Sequence, residues 1–368
     1  MKILIVIDSL GSGGAERSTA VMSDYLTEKK IAFTIFCLDK KEVGVQQQLQ
    51  EKSYDVQFVK SSGFYNQTRE IAATIKRGKY CVVHSILFRS NLRTRFAKLF
   101  TKFTHLESLV NTTYSPARFK DKRVNAKVLS IYKIIDRISG KRFVDHFHSI
   151  TQTVKDHYIN ELGLSEFKFT VIYRGREDLI EEHMHNEKND IPRLINVGRH
   201  EFQKGQLYLL RAVKLLKERG YQFSLDIYGR VGKVTPELES YIEEHQLEDV
   251  VNLRGFSHEV PYELLKSDIF VFPSLYEGLG GALIEAQSAA LPIACNDIPV
   301  LREVVNENQN ARFFEVENVE SIAEAIKYFL DNPEERIIYG KESLKNFQKK
   351  FMESENNARM LELYQKLC

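Results

Sequence analysis

Short runs of β-branched and aromatic residues alternate with stretches of helical period along almost the whole chain, and the rhythm occurs twice. In the first half it predicts strands over 2–7, 32–38, 55–59, 81–84, 107–111, 149–153 and 169–172. Helices are predicted between them over 15–29, 43–51, 66–77, 90–100, 126–138 and 154–162. Strand and helix in turn select a parallel sheet covered on both faces. The second half repeats the grammar, with strands over 194–197, 223–228, 250–253, 269–272 and 292–295 and helices between and after them. A chain of 368 residues is also too long for one ordinary core. The expected architecture is α/β, with two doubly wound Rossmann-like domains over residues 1–175 and 190–340, facing each other across a cleft. Residues 174–192 are polar and acidic (Glu177, Asp178, Glu181, Glu182, Glu187, Asp190) and suit a linker. The closing segment 341–368 is expected to join the first domain as a helix. Phe347, Phe351, Met360, Leu363 and Tyr364 are spaced there as an apolar stripe.

With 43% hydrophobic and 28% charged residues the composition is that of a globular protein. No apolar run reaches the length of a membrane span. The opening run Ile3–Ile7 is cut short by Asp8 and lacks the flanks of a signal peptide, so it reads as a buried strand. Cys37, Cys81, Cys295 and Cys368 are scattered without a C-x-x-C pair. That pattern predicts free thiols in a reducing compartment, the cytoplasm, and argues against a disulfide framework or a zinc site. Net charge is only +2, yet from Arg89 to Arg142 fourteen Lys or Arg face only Glu107, Asp121 and Asp136. Such asymmetry points to an anionic partner. The stretch 89–142 is a candidate contact with an anionic membrane surface, weighed equally against a solvated charged face whose apolar residues pack inward, and within it residues 90–103 read as an amphipathic helix carrying Arg93, Arg95, Lys98 and Lys102. Nucleic acid is not the expected partner, because no reading module accompanies the charge.

Two segments carry chemistry. Pro273-Ser274-Leu275-Tyr276-Glu277-Gly278-Leu279-Gly280-Gly281 leaves a predicted strand through a glycine-rich turn and enters a helix containing Glu285. Glycines there let backbone amides approach a ligand, and the helix N-terminus adds partial positive charge. Asn196-Val197-Gly198-Arg199-His200-Glu201-Phe202-Gln203-Lys204-Gly205 has the same strand–loop–helix form, and two cations at such an edge serve an anion.

The chain resembles the family 4 retaining glycosyltransferases, glycosyl transferases group 1, which have the GT-B fold. The resemblance lies in Gly198-Arg199 with Lys204-Gly205, in Glu277 and Glu285, in the opening loop Gly11-Ser12-Gly13-Gly14, in Val82-Val83-His84-Ser85 and in Val171-Ile172-Tyr173-Arg174-Gly175. It implies a closing helix that crosses back onto the first domain. It implies a nucleotide-sugar donor, most often a UDP-sugar in this family, and a glycan or lipid-linked acceptor in cell-surface polysaccharide or glycolipid synthesis. Arg199 and Lys204 would hold the diphosphate, Glu277 the donor sugar and Glu285 the ribose. Gly280 and Gly281 would offer amides, and Gly13 and Gly14 would approach the reaction centre from the acceptor domain. The base would lie near Tyr228-Gly229-Arg230 and Arg254-Gly255-Phe256. Fixed cations stabilise a departing diphosphate without a metal, and no two Asp stand two apart to form an Asp-x-Asp pair; neither cofactor nor metal is expected. The family pattern is not followed throughout. Arg174 stands where members commonly have Asn, glycines 280 and 281 stand where larger residues are frequent, and Asn111 or Thr112 stands where many members carry His. His84 is a weaker candidate, more often structural at a strand end, and His146 and His148 are assigned no role.

Two other readings compete. Gly11–Gly14 after the first strand evokes a dinucleotide-dependent oxidoreductase, but it lacks the G-x-G-x-x-G spacing. A non-catalytic carbohydrate-binding or scaffold protein of the same fold is the other, against which the intact set Arg199, Lys204, Glu277 and Glu285 speaks.

Overall fold

The computed structural model describes residues 1–121, 124–182 and 189–368. Lys122 and Arg123 of the basic stretch and Glu187 of the acidic linker lie outside the described residues. The chain forms two compact units, one of Met1–Tyr114, Val124–Arg174 and Ser354–Cys368, the other of Ser115–Arg123 and Gly175–Glu353.

The first unit is built on β1 (Lys2–Ile7), β2 (Ala32–Cys37), β3 (Val56–Phe58), β4 (Val82–Ile86), β5 (Thr104–Leu109), β6 (His146–Ser149) and β7 (Phe169–Val171). The strands run parallel in the order β3-β2-β1-β4-β5-β6-β7. The second unit holds β8 (Arg193–Val197), β9 (Ser224–Tyr228), β10 (Val251–Gly255), β11 (Ile269–Phe272), β12 (Ile293–Asn296) and β13 (Ala311–Phe314), parallel in the order β10-β9-β8-β11-β12-β13. Central strands are continuous apolar runs because helices cover both faces: Ile3–Ile7 and Ile269–Phe272 are buried throughout. The edge strand β13 escapes sequence patterning because Arg312 and Phe313 are only half-buried.

Helices α1 (Gly14–Glu28), α2 (Phe88–Ala97), α3 (Ala126–Phe143), α4 (Gln206–Glu218), α5 (Gly281–Ser288), α6 (Pro333–Lys350) and α7 (Glu353–Leu367) carry the candidate site, the basic stretch and the C-terminal segment. The predicted C-terminal stripe is divided between two of them. Phe347 is buried on α6, where Asn346 Nδ2 donates to Gln287 Oε1 of α5 at 2.6 Å. Met360, Leu363 and Tyr364 of α7 instead join the core of the first unit, against Ile3, Ile5 and Val82. Glycine is required where α6 meets the turn after α5, since any Cβ at Gly340 would overlap the Ala290 carbonyl.

Two expectations are corrected. Cys81 and Cys368 are joined in a disulfide, with Cα atoms 5.0 Å apart across a sequence separation of 287, while Cys37 and Cys295 are free and buried. Spacing rules detect local pairs only, so a bridge from a strand start to the chain end left no signature. The amphipathic reading of 90–103 also fails. The helix ends at Ala97, Arg95 is buried in ion pairs with Glu107 and Asp136, Arg93 donates to Gln67 Oε1 at 2.7 Å, and Lys98 pairs with Asp145. Three of its four cations thus serve the unit's own polar groups. Among the described residues no helix is long and apolar enough to cross a membrane.

Candidate active site

In each sheet the strand order reverses beside the first strand of the unit, and ligands of open α/β sheets bind at such a switch point, beyond the carboxyl ends of the strands. In the second sheet the switch lies between β8 and β11. The segment after β8 carries Arg199 and Lys204; the segment after β11 carries Glu277 and leads into α5.

These two segments are zipped together. Leu275 N donates to Gln203 O at 2.8 Å, and Gln203 Nε2 donates to Tyr276 O at 2.7 Å. Gly205 has φ +64°, and a side chain there would overlap the Pro273 carbonyl. Only glycine allows the turn and the approach together. The consequence is an ion pair between Lys204 Nζ and Glu277 Oε1, with the ammonium also 5.5 Å from the Phe272 ring centroid. Glu277 is only 7% exposed; a carboxylate so buried is stable as an ion only when paired.

Gly280 (φ +83°) caps α5 and turns the amides of its first helical turn outward, giving an anion-attracting end. One turn on, Glu285 Oε1 accepts from Arg176 Nε at 2.8 Å, both side chains being largely buried. A Cβ at Gly281 would come within 2.5 Å of Arg176 Nη2. Arg176 therefore spans the α5 N-terminus, its own backbone held by Phe351 O at 2.9 Å. Nothing in the local sequence marked this residue, which is one cation in an acidic linker. Arg199 is exposed at the same sheet edge and makes no ion pair among the described residues. Its neighbour strands end in the predicted base region. Gly229 N donates to Gly255 O at 2.8 Å, a Cβ at Gly229 would overlap Gly198 O, and Arg230 lies 4.4 Å over the half-exposed Phe256 ring. Arg254 pairs with Asp226.

In the first unit the switch lies between β1 and β4. The loop with Gly13 and Gly14 follows β1 and opens α1, Gly13 being its N-cap. Asp8 at the end of β1 accepts from both the amide and hydroxyl of Ser90 at 2.7 Å, and burial raises its carboxyl above the usual range. A Cβ on Gly14 would sit 3.5 Å from the Arg174 guanidinium. Arg174 therefore brings a cation close to the backbone of the opening loop, from a position where Asn was the expected residue.

His84 has a structural place. Its Nδ1 is 2.7 Å from Tyr364 Oη and its Nε2 2.7 Å from Ser108 Oγ, which lies 2.7 Å from His148 Nδ1. His148 Nε2 is 2.9 Å from Ile172 O. A carbonyl only accepts, so with both rings neutral every proton in the chain is fixed: His148 donates to Ile172, Ser108 to His148, His84 to Ser108, and Tyr364 to His84. Burial holds the His84 ring well below its ordinary pKa and pushes that of His148 down to about 4. His146 lies 2.8 Å from Thr170 Oγ1. Among the described residues no group of three His, Cys, Asp or Glu forms a metal-ligand set.

Residues 12–178 match the description Glycosyltransferase Family 4, and residues 177–346 match Glycosyl transferases group 1. The chain belongs to the family 4 glycosyltransferases. This family 4 glycosyltransferase is 26% identical over 271 residues to the Escherichia coli UDP-Gal:alpha-D-GlcNAc-diphosphoundecaprenol alpha-1,3-galactosyltransferase, covering 70% of this chain and 68% of that one. It is 26% identical, over 92% of both chains, to the Campylobacter jejuni N-acetylgalactosamine-N,N'-diacetylbacillosaminyl-diphospho-undecaprenol 4-alpha-N-acetylgalactosaminyltransferase. Other matches are partial: the alignment with the Streptomyces kanamyceticus alpha-D-kanosaminyltransferase spans about half of each chain, 46% of that enzyme. The fold of this glycosyltransferase is that of Anabaena HepE solved in complex with UDP, with a TM-score of 0.84 at 16% identity over the whole of both chains.

Proposed function

We propose that this glycosyltransferase moves a sugar from a UDP-sugar to a lipid-linked glycan in cell-surface polysaccharide synthesis, with retention at the anomeric carbon. The observation that carries the reading is the convergence of Lys204 and Glu277 at the switch point of the second sheet, beside the amide-rich start of α5. Support for the donor and acceptor comes from the two undecaprenol-diphosphate-dependent relatives and from the UDP held by the Anabaena structure.

In this reading the bond between C1 and the donor's phosphate oxygen breaks as negative charge grows on the diphosphate. Lys204, Arg199 and the α5 N-terminus stabilise that charge, and preorganised cations and amides lower such a barrier. Glu277, held by Lys204, hydrogen-bonds the sugar hydroxyls; Glu285 takes the ribose hydroxyls; Gly255 and Phe256 flank the base. The acceptor oxygen bonds C1 on the face the diphosphate leaves, and its proton passes to a leaving-phosphate oxygen. Gly13 and Gly14 shape the acceptor side. No metal is assigned a step, and turnover in excess chelator is the expected result. The reaction belongs in the cytoplasm, where nucleotide sugars are made, at the membrane that carries the lipid acceptor.

A panel of nucleotide sugars tests this through donor hydrolysis and thermal shift. UDP-sugar turnover and stabilisation by UDP are expected. A shift with NAD alone, or silence toward every nucleotide, would overturn the assignment.

A further inference from the structure

Helix α3 is built inside out. Its inward face carries Asp136, Ser139 and Gly140, gathered around the buried Arg95 guanidinium: Arg95 Nη1 donates to Asp136 and, at 2.9 Å, to Ser139 Oγ, while Gly140 leaves room 3.6 Å from the guanidinium carbon. Leu129 is the one buried aliphatic residue of the helix; the outward face carries the isoleucines, with Ile131 57%, Ile134 60% and Ile138 65% exposed. An ordinary surface helix turns its apolar stripe toward the core and its charges to water. Here the need to neutralise Arg95 fixes the polar side inward, and that rotation forces the isoleucines out.

The charges around this stripe have one sign. Lys127, Ile131, Ile134, Ile138, Lys141 and Arg142 recur three or four residues apart and so share one face, with Arg137 beside them. Among the described residues none of these four cations makes an ion pair. The one acid on the helix, Asp136, is buried, and Glu161 alongside is taken by Lys133. A second copy of the chain seated on this face would set like charges opposite one another, which disfavours self-pairing. A row of isoleucines bracketed by such cations is complementary to a surface that is apolar below and anionic above.

We propose that α3 is the membrane-docking element, lying in the interface of a bilayer containing anionic lipid, its isoleucines in the acyl boundary and its Lys and Arg among the headgroups. The purpose of the contact rests on the lipid-linked acceptor proposed above; the contact itself is measurable without turnover.

The test is co-sedimentation of the full chain with vesicles of phosphatidylcholine alone or of equal parts phosphatidylcholine and phosphatidylglycerol. Binding is expected to the anionic vesicles and to weaken with added salt. The double variant Lys141→Ser/Arg142→Ser is expected to lose about thirtyfold in partitioning at low ionic strength, from about 1 kcal/mol per cation. Ile134→Gln/Ile138→Gln is expected to lose at least about tenfold through lost apolar burial. Donor hydrolysis and circular dichroism should be unchanged in both, because neither pair touches the donor site or the core. Absence of wild-type binding to anionic vesicles at low salt would overturn the proposal, as would full binding by the isoleucine variant. A concentration-dependent dimer in lipid-free solution, dissolved by the same isoleucine changes, would assign the face to a second copy instead. Loss of hydrolysis activity in all forms with vesicle binding intact would count against the transferase chemistry and leave the docking helix standing.

Discussion

Arg176 donates from Nε to Oε1 of Glu285 at 2.8 Å, and the same guanidinium stands against Gly281 at the start of α5. A cation at a helix N-terminus opposes the helix dipole; Glu285 and the Gly175 carbonyl, which accepts from Nη1 at 2.8 Å, hold it there. The carboxylate proposed to grip ribose is therefore already satisfied within the protein, and a nucleotide must exchange one partner for another. Glu285→Ala is expected to weaken UDP binding at least about tenfold, equivalent to about 1.4 kcal/mol. Arg176→Ala is expected to keep or raise UDP affinity while costing about 1 kcal/mol of stability, the pair being partly shielded from solvent. Titration calorimetry with UDP decides between them; loss of UDP binding in Arg176→Ala would make this arginine a ligand contact.

Lys204 serves both loops of the site. Lys204→Ala removes the counter-ion of a nearly buried Glu277 together with one stabiliser of the leaving diphosphate. Loss of one preorganised stabilising group costs about two to three orders of magnitude in rate. Single-turnover transfer should fall by about that factor, with a smaller fall for the exposed Arg199→Ala. An unchanged rate in Lys204→Ala would remove the role given to that ammonium.

Gly229→Ala tests the backbone approach that shapes the base region. Its Cβ would overlap the Gly198 carbonyl, and backbone cannot move aside as a flexible side chain does. A loss of about 1–3 kcal/mol is expected, the usual cost of overpacking, read by urea denaturation alongside loss of UDP binding. Gly220→Ala is the contrast: Gly220 has φ +83° and nothing within 4 Å of an added Cβ, so it reports backbone strain without overlap, whereas Gly229 has no positive φ and its loss would come from overlap.

The histidine chain predicts acid sensitivity. His84 and His148 have folded pKa values below the ordinary value of 6.5, His148 at about 4. The unfolded chain then binds protons that the folded chain refuses, so stability rises with pH across that window. It is complete above about pH 7 and falls progressively from about pH 6.5 to pH 4, by about 3 kcal/mol for His148 alone. Urea midpoints across this range should flatten in His148→Gln relative to wild type. An equal slope in both would show that the ring does not titrate with folding.

Much of the site was legible because its signals are local. Gly198 through Gly205 and Glu277 through Glu285 each follow one strand and enter one helix, and the loop chemistry of each is written within a dozen residues. What could not be read is which face each helix turns inward. Arg95 looked like a surface cation from its helical spacing; its partners Glu107 and Asp136 come from a strand and another helix. Once Arg95 is buried, α3 must present Asp136 to it, and the exposed isoleucines follow.

The sequence by itself determined two parallel-sheet domains and two glycine-bearing loops armed with Lys204 and Glu277, since strand period, helix period and turn residues act within a few positions. Tertiary structure alone decided that Arg176 meets Glu285 across 109 positions. It alone joined Cys81 to Cys368 and set the isoleucines of α3 outward. Those contacts depend on how distant elements pack to satisfy buried charge, a condition that no local pattern records.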